Sequence, residues 1–382
     1  MQRVLLGISV FVAMVLPQLS FAFPARFGLS PDNSQDLLFS VLNSAQQELT
    51  INIYEFKSIP ILNTVIARIQ AGVNVHILIE GQPAGFMAPS SKSVINQLQT
   101  AMVAQANPNN TFYVMSSQSG GTRRFAFDHA KYIVVDKKRV MISSENFSPT
   151  TYAEPGLNGN RGWHAVLESP VFAAQMLSLF ASDADPSQAD LLDMLTQTAT
   201  FAVKKQPEMK QHPRTVETLA GGKGDVSSVS LVTSPDSLGG IQSLIDSAQK
   251  YVDVEFASLP PEWATPTKHQ NPILDSLIAA ATRNVHVRVL LNDDSVFNVA
   301  QTNTGGTPAV PKPRPIYSNE VTVKLLQDLA TTKGLPIEAQ IVNVKAVDIT
   351  YIHNKGILVD GDRKSTRLNS SHYGLSRMPS SA

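Results

Sequence analysis

The sequence predicts an α/β protein built from two similar halves, each a mixed β-sheet flanked by helices. Three observations carry that reading. The pattern His129-Ala-Lys131 followed by Asp136 returns as His353-Asn-Lys355 followed by Asp360, 224 positions later. The stretches ahead of the two copies align without gaps at an offset of 212, from Pro60 to Ile79 and from Pro272 to Leu291. Dense apolar runs alternate with amphipathic ones throughout, as they do when helices cover the faces of a sheet.

Each half opens on the same tripeptide, Ser30-Pro-Asp32 and Ser234-Pro-Asp236, and continues into a helical stretch ending Asn43-Ser-Ala-Gln46 or Asp246-Ser-Ala-Gln249. Period-two strands follow at Leu49–Ile53 and Val252–Phe256. Pro60 and Pro272 then open amphipathic helices, a first-turn position that suits proline. The apolar runs ending at Ile79 and Leu291 predict central strands covered on both faces. A helix over Lys92–Gln105, a strand over Phe112–Met115 and a motif strand over Lys131–Asp136 complete the first half. A helix over Asn319–Thr332, a strand over Glu338–Val344 and a motif strand over Lys355–Asp360 complete the second. Between them, Ala189–Phe201 has a helical pattern, and a polar stretch with Pro207, Pro213 and Gly221-Gly222 reads as a linker or surface excursion. The proline-rich Gly305–Pro315 segment predicts an irregular loop near the mouth of a site.

The two ends stand apart. Arg3, the apolar Val4–Leu16 and the small residues of Ser20-Phe-Ala22 have the form of a secretory signal, too short for a stop-transfer helix. Residues 1–22 are therefore expected to direct export, to the periplasm or the medium. From Asp362 to His372 the residues are those encoded by a widely used sequencing adapter, and Ser376–Ala382 match its continuation. The expected division is a signal at 1–22, a first half at 23–182, a helix plus linker at 183–228, an incomplete second half at 229–361, and a non-native tail at 362–382.

The absence of cysteine excludes disulfides, thiolate metal sites and cysteine nucleophiles. Residues 23–361 hold 26 Lys and Arg against 30 Asp and Glu, a net charge of −4. An acidic body argues against strong nonspecific nucleic-acid binding. His76, His164, His212, His269 and His286 show no metal-ligand spacing, so neither metal nor cofactor is expected. Within each motif strand His and Lys fall two apart, on one side of the sheet. Cationic and titratable residues placed together are poor core fillers, which points to chemistry rather than packing.

The repeated His-x-Lys-x4-Asp resembles the signature of the phospholipase D superfamily, and the resemblance spans nearly the whole chain. The family continues with Gly-Ser-x-Asn; here Ser143-Ser144-Glu145-Asn146 matches at Ser144 and Asn146, with Ser143 in place of the glycine. The strand at Trp163–Leu167 also matches, whereas the acidic residue that often precedes it is missing from Gly159-Asn-Arg-Gly162. The group that orients the catalytic histidine is therefore open.

The resemblance implies two phospholipase D-like α/β sandwich halves related by a pseudo-twofold axis, with both motifs meeting in one site. It implies phosphodiester cleavage through a phosphohistidine, His129 serving as nucleophile and His353 as general acid, or the reverse. Lys131, Lys355 and Asn146 would donate to the phosphoryl oxygens, Ser144 would belong to the same catalytic set, and Asp136 and Asp360 would order the motif backbone. A phosphodiester substrate is expected, phospholipid ahead of nucleic acid, with transient membrane-surface contact and a monomeric enzyme. The apolar loop residues Phe86, Met87, Phe125 and Phe127 favour lipid; the Arg123-Arg124 pair is the feature of a nuclease of the same superfamily. A non-catalytic phosphate-binding protein is the third reading.

Overall fold

A computed structural model describes residues 22–84, 87–116, 123–197, 201–203, 211–263, 269–294 and 318–361. The expected export signal up to Phe21, Phe86, the Gly305–Pro315 loop and the expected tail from Asp362 lie outside the described residues.

The first half runs β1 (Phe23–Ser30), α1 (Ser34–Asn43), β2 (Glu48–Ile53), α2 (Ile59–Gln70), β3 (Asn74–Glu80), α3 (Pro89–Gln105), β4 (Thr111–Met115), β5 (Lys131–Val135), β6 (Arg139–Ser143), β7 (Gly162–Glu168), α4 (Pro170–Asp183), β8 (Leu191–Asp193) and β9 (Gly222–Val226). Its strands form one sheet in the order β8-β4-β3-β2-β5-β6-β7-β1-β9. β2, β3 and β4 are parallel, linked through α2 and α3, and the motif strand β5 returns antiparallel to β2. Every residue of β5 is buried because both sheet faces are covered. Leu38, Ile61, Leu62 and Leu98 of α1–α3 pack with Ile51 and Ile77 on one face. Phe172, Met176 and Phe180 of α4 pack with Tyr132 and Val134 on the other.

The second half runs α5 (Leu238–Asp246), β10 (Tyr251–Phe256), β11 (Glu262–Trp263), β12 (His269–Gln270), α6 (Pro272–Thr282), β13 (His286–Leu291), α7 (Ser318–Lys333), β14 (Ile337–Ile341) and β15 (Lys355–Val359). Its main sheet, β14-β13-β10-β15, repeats the order and the strand directions of β4-β3-β2-β5. The corresponding helices begin for the same physical reason. Ser58 accepts a hydrogen bond from the Ile61 amide and Asn271 from that of Ile273, each beside a proline in the first turn.

Two differences from the sequence reading have local causes. The helix expected over Ala189–Phe201 is instead the short strand β8, antiparallel to β4, followed by a turn. Asp193 Oδ1 accepts from the Leu195 amide at 2.9 Å and the Asp190 carboxylate accepts from both the amide and Nε of Arg124. Such side-chain bonds compete with helical ones. The segment read as linker contributes β9, which pairs with β1 and widens the sheet.

The halves diverge after their motif strands. Among the described residues β15 is the last strand of its sheet, with no counterpart of β6 or β7 beside it. Residues 227–233 precede Ser234-Pro-Asp236 as β1 precedes Ser30-Pro-Asp32, yet form no strand. Asp32 is buried between Arg161 and Arg214, whereas Asp236 is exposed.

Candidate active site

Matching strand ends deliver the two motifs. The loop before each motif strand is anchored to the end of a central strand. Glu80, at the end of β3, accepts from the Asp128 amide at 2.7 Å; Asn292, just past β13, accepts from the Ile352 amide at 2.8 Å. Glu80 and Asn292 directly follow the two gaplessly aligned stretches, and Asp128 and Ile352 each immediately precede a motif histidine. Asp128 is buried, and desolvation pushes its carboxyl up to about 7.

At the far end of each motif strand sits the aspartate. Asp136 Oδ1 accepts from the amides of Gln47 and Glu48 at 2.8 and 3.0 Å, and the Gln46 amide reaches both carboxylate oxygens at 3.2 Å. Asp360 accepts from those of Gln249, Lys250 and Tyr251 at 2.7–2.9 Å. These carboxylates tie the motif strand to the start of its neighbour, a full strand length from the lysines.

The lysines fold back alike: Lys131 Nζ donates to the His129 carbonyl and Lys355 Nζ to the His353 carbonyl, each at 2.8 Å. Burial, then the nearby Lys355, holds the Lys131 amine down to about 7. Burial likewise holds Lys355 down to about 8, Glu145 opposing it. His129 lies edge-on to Tyr54, ring centroids 4.2 Å apart. Its imidazole is held down to about 3, first by burial and then by Lys131, Lys355 and His353. The mutual influence of these four groups places both motifs around one centre.

The turn after β6 reaches the second half. Ser144 Oγ donates to Asn354 Oδ1 at 3.3 Å and accepts from the Trp163 amide at 3.0 Å. Asn354, the middle residue of the second His-x-Lys, donates to the buried Glu255 at 2.8 Å. Asn146 Nδ2 donates to Glu55 at 3.0 Å, leaving its buried Oδ1 without a partner. Ser143 does not need a glycine's freedom, since its φ is not positive. Its hydroxyl instead meets His164 Nδ1 and the Glu145 amide, each at 2.9 Å. His164 is buried and held neutral, down to about 4, by desolvation.

Sequence reasoning passed over Glu145, the variable position of Ser-x-Asn. Its Oε1 lies 3.3 Å from His353 Nδ1 across the join between the halves. Backbone bonds close that join, from the Arg161 amide to the Tyr351 carbonyl and from the His353 amide to the Arg161 carbonyl, both 2.8 Å. The Arg123-Arg124 pair, by contrast, is committed to structure: Arg123 pairs with Glu80 at 2.5 Å and Arg124 with Asp190 at 3.0 Å.

The family described as cardiolipin synthase, PLD-like domain, matches residues 38–184 and 241–372. No curated protein sequence matches the chain. Phosphatidylserine synthase from Haemophilus influenzae is similar in fold at a TM-score of 0.56 and 13% identity, covering 88% of this chain and 78% of its own. Nuc from Salmonella typhimurium, a phospholipase D family member, gives 0.36 at 20% identity, covering 44% of this chain and 97% of its own. NucT from Helicobacter pylori gives 0.35 at 16%, covering 44% and 98%. With both halves matched, each carrying its own His-x-Lys pair, the chain belongs to the phospholipase D superfamily.

Proposed function

We propose that the protein is an exported phosphodiesterase that cleaves or transfers phospholipid phosphodiesters through a phosphohistidine. The observation that carries the reading is the gathering of His129, Lys131, His353 and Lys355 around one centre, with Lys131 buried and His129 and Lys355 open to solvent. A phosphodiester placed there would supply the negative charge that both lysines lack, and so restore their protonated state. His129, crowded by cations and held neutral, keeps the lone pair a nucleophile needs. His353, facing the Glu145 carboxylate, is suited to carry a proton to the leaving oxygen.

The step balances simply. A His129 ring nitrogen forms the P–N bond as the P–O bond to the leaving group breaks, and that oxygen takes the His353 proton. Water or an alcohol then returns a proton to His353 as it attacks phosphorus and the P–N bond breaks. Asn146 would add a donor to the phosphoryl oxygens, with Ser144 beside it in the same turn. Asp136 and Asp360 act on the backbone alone. Phe127, 44% exposed and edge-on to Tyr54 at 6.1 Å, offers an apolar surface beside His129; this favours a lipid, as does the family match.

The test compares labelled phosphatidylglycerol and phosphatidylcholine vesicles with single- and double-stranded DNA, using the full chain. Lipid turnover is expected, with an acid-labile phosphate trapped on His129 and a loss of at least about 10³-fold in His129→Ala. Cleavage of DNA alone would overturn the lipid assignment. Absence of turnover on every phosphodiester, with ligand binding unchanged in His129→Ala, would overturn the catalytic one.

A further inference from the structure

We propose that Glu145 is the positioning acid of His353, supplied across the join by the opposite half, and that position 162 is glycine because Glu145 occupies the space a side chain there would take. The inference rests on the assignment of His353 as general acid.

Three independent pieces of geometry meet at this carboxylate. Oε1 lies 3.3 Å from His353 Nδ1, the ring nitrogen that must be fixed if Nε2 is to face the substrate. That approach is a charge contact rather than an aligned hydrogen bond, since neither atom has a hydrogen-bond partner; catalytic contacts of this kind tighten when substrate binds. The other oxygen is clamped: Oε2 accepts from Thr151 Oγ1 at 2.8 Å, and Asn160 Nδ2 donates to the same hydroxyl at 3.3 Å. Finally, a Cβ built on Gly162 would overlap Cγ, Cδ and Oε1 of Glu145. Residues 145 and 162, at the turn after β6 and the start of β7, therefore compete for one volume, and only one of them can carry a side chain.

This geometry answers the question left by Gly159–Gly162, where an acid was sought and not found. The acid enters the same volume from the other side of the β6–β7 connection. Glu145 is 1% exposed. Burial works to raise its carboxyl, but His353 and Thr151 outweigh burial and hold it below the usual range. In the step above the Glu145 carboxylate offsets the charge His353 carries before the proton leaves and fixes which nitrogen releases it.

The experiment uses Glu145→Ala, Glu145→Gln, Glu145→Ala/Gly162→Glu and His353→Ala, assayed on bis-p-nitrophenyl phosphate across pH, with melting curves and an NMR titration of His353. Glu145→Ala should lower kcat by about 10–100-fold with KM changed less than about threefold. The alkaline limb of kcat should move to lower pH by about one unit. Glu145→Gln keeps the volume and an acceptor for Thr151, so it should fold and show the same limb shift. The double variant should recover part of the lost kcat and return the limb. A wild-type kcat and limb in Glu145→Gln, while His353→Ala is inactive, would overturn the positioning role. Failure of Glu145→Ala/Gly162→Glu to recover either would overturn the shared-volume argument. Activity retained in His353→Ala would instead overturn the acid assignment beneath both.

Discussion

His129 and the two lysines are all held below their ordinary protonation ranges, although only Lys131 is buried. Desolvation holds Lys131 down to about 7, with repulsion from Lys355 added, and holds Lys355 down to about 8 against the pull of Glu145; both stand at about 10.4 in an unfolded chain. The sign of the consequence follows. Between about pH 7 and 10 the unfolded chain binds more protons than the folded one, so stability rises with pH through that window. The melting temperature of the ligand-free protein is expected to climb from pH 7 to pH 9, and to climb less in Lys131→Met. The same variant should melt higher than wild type at pH 7 while losing turnover, because repulsion with Lys355 goes with the function. A flat profile in the wild type would count against the argument. The histidines and lysines themselves were legible in the sequence because they repeat at fixed spacing. Glu145 was not, since it belongs to the first half but serves the second, and no local pattern reports a contact made across a join. Glu80 and Asn292 were within reach, as polar ends of otherwise apolar runs at equivalent positions.

At the scale of the strand, Asp136 and Asp360 are parts of a fastener. Both take positive φ, 49° and 51°, a region open to aspartate and asparagine far more than to other non-glycine residues. Both accept amide hydrogen bonds from three successive residues that lead into the neighbouring strand, the third being its first residue. Asp136→Ala loses acceptor and backbone tolerance together, and is expected to cost about 1–3 kcal/mol in urea unfolding. Asp136→Asn keeps the tolerance and one acceptor oxygen and should cost less. Equal losses in the two would show that the charge alone matters. Elements of this kind were readable where propensity and burial agree, as in α2, α3, β5 and β10. They were not readable at Ala189–Phe201, where the apolar spacing of a helix was overruled by Asp190 and Asp193, whose carboxylates bind backbone and arginine partners no periodicity encodes.

For the whole molecule, the join between halves is as constrained as the chemistry it supports. A Cβ on Gly356 would overlap the six-membered ring of Trp163, so the first half's β7 lies directly against the second half's motif strand. Gly356→Ala is expected to destabilise by about 1–3 kcal/mol through overpacking, to shift the tryptophan emission and to lower kcat without removing a polar group. Gly239→Ala in α5, where nothing lies within 4 Å of a new Cβ, is the control and should be neutral or slightly stabilising. A silent Gly356→Ala would mean that the two halves have slack between them. The duplicated architecture was legible because both halves share an order of patterns. Their divergence was legible only in part, since the coil at 227–233 carries the alternation of a strand and yet forms none.

That β15 closes its sheet has a consequence for handling the protein. Its far side offers unpaired backbone donors and acceptors among the described residues, flanked by the half-buried Ile357, Leu358 and Val359. Such a border is a template onto which a strand from another molecule can be added. The strand that carries Lys355 is thus one of the sheet borders open to strand addition, and specific activity is expected to fall as protein concentration rises.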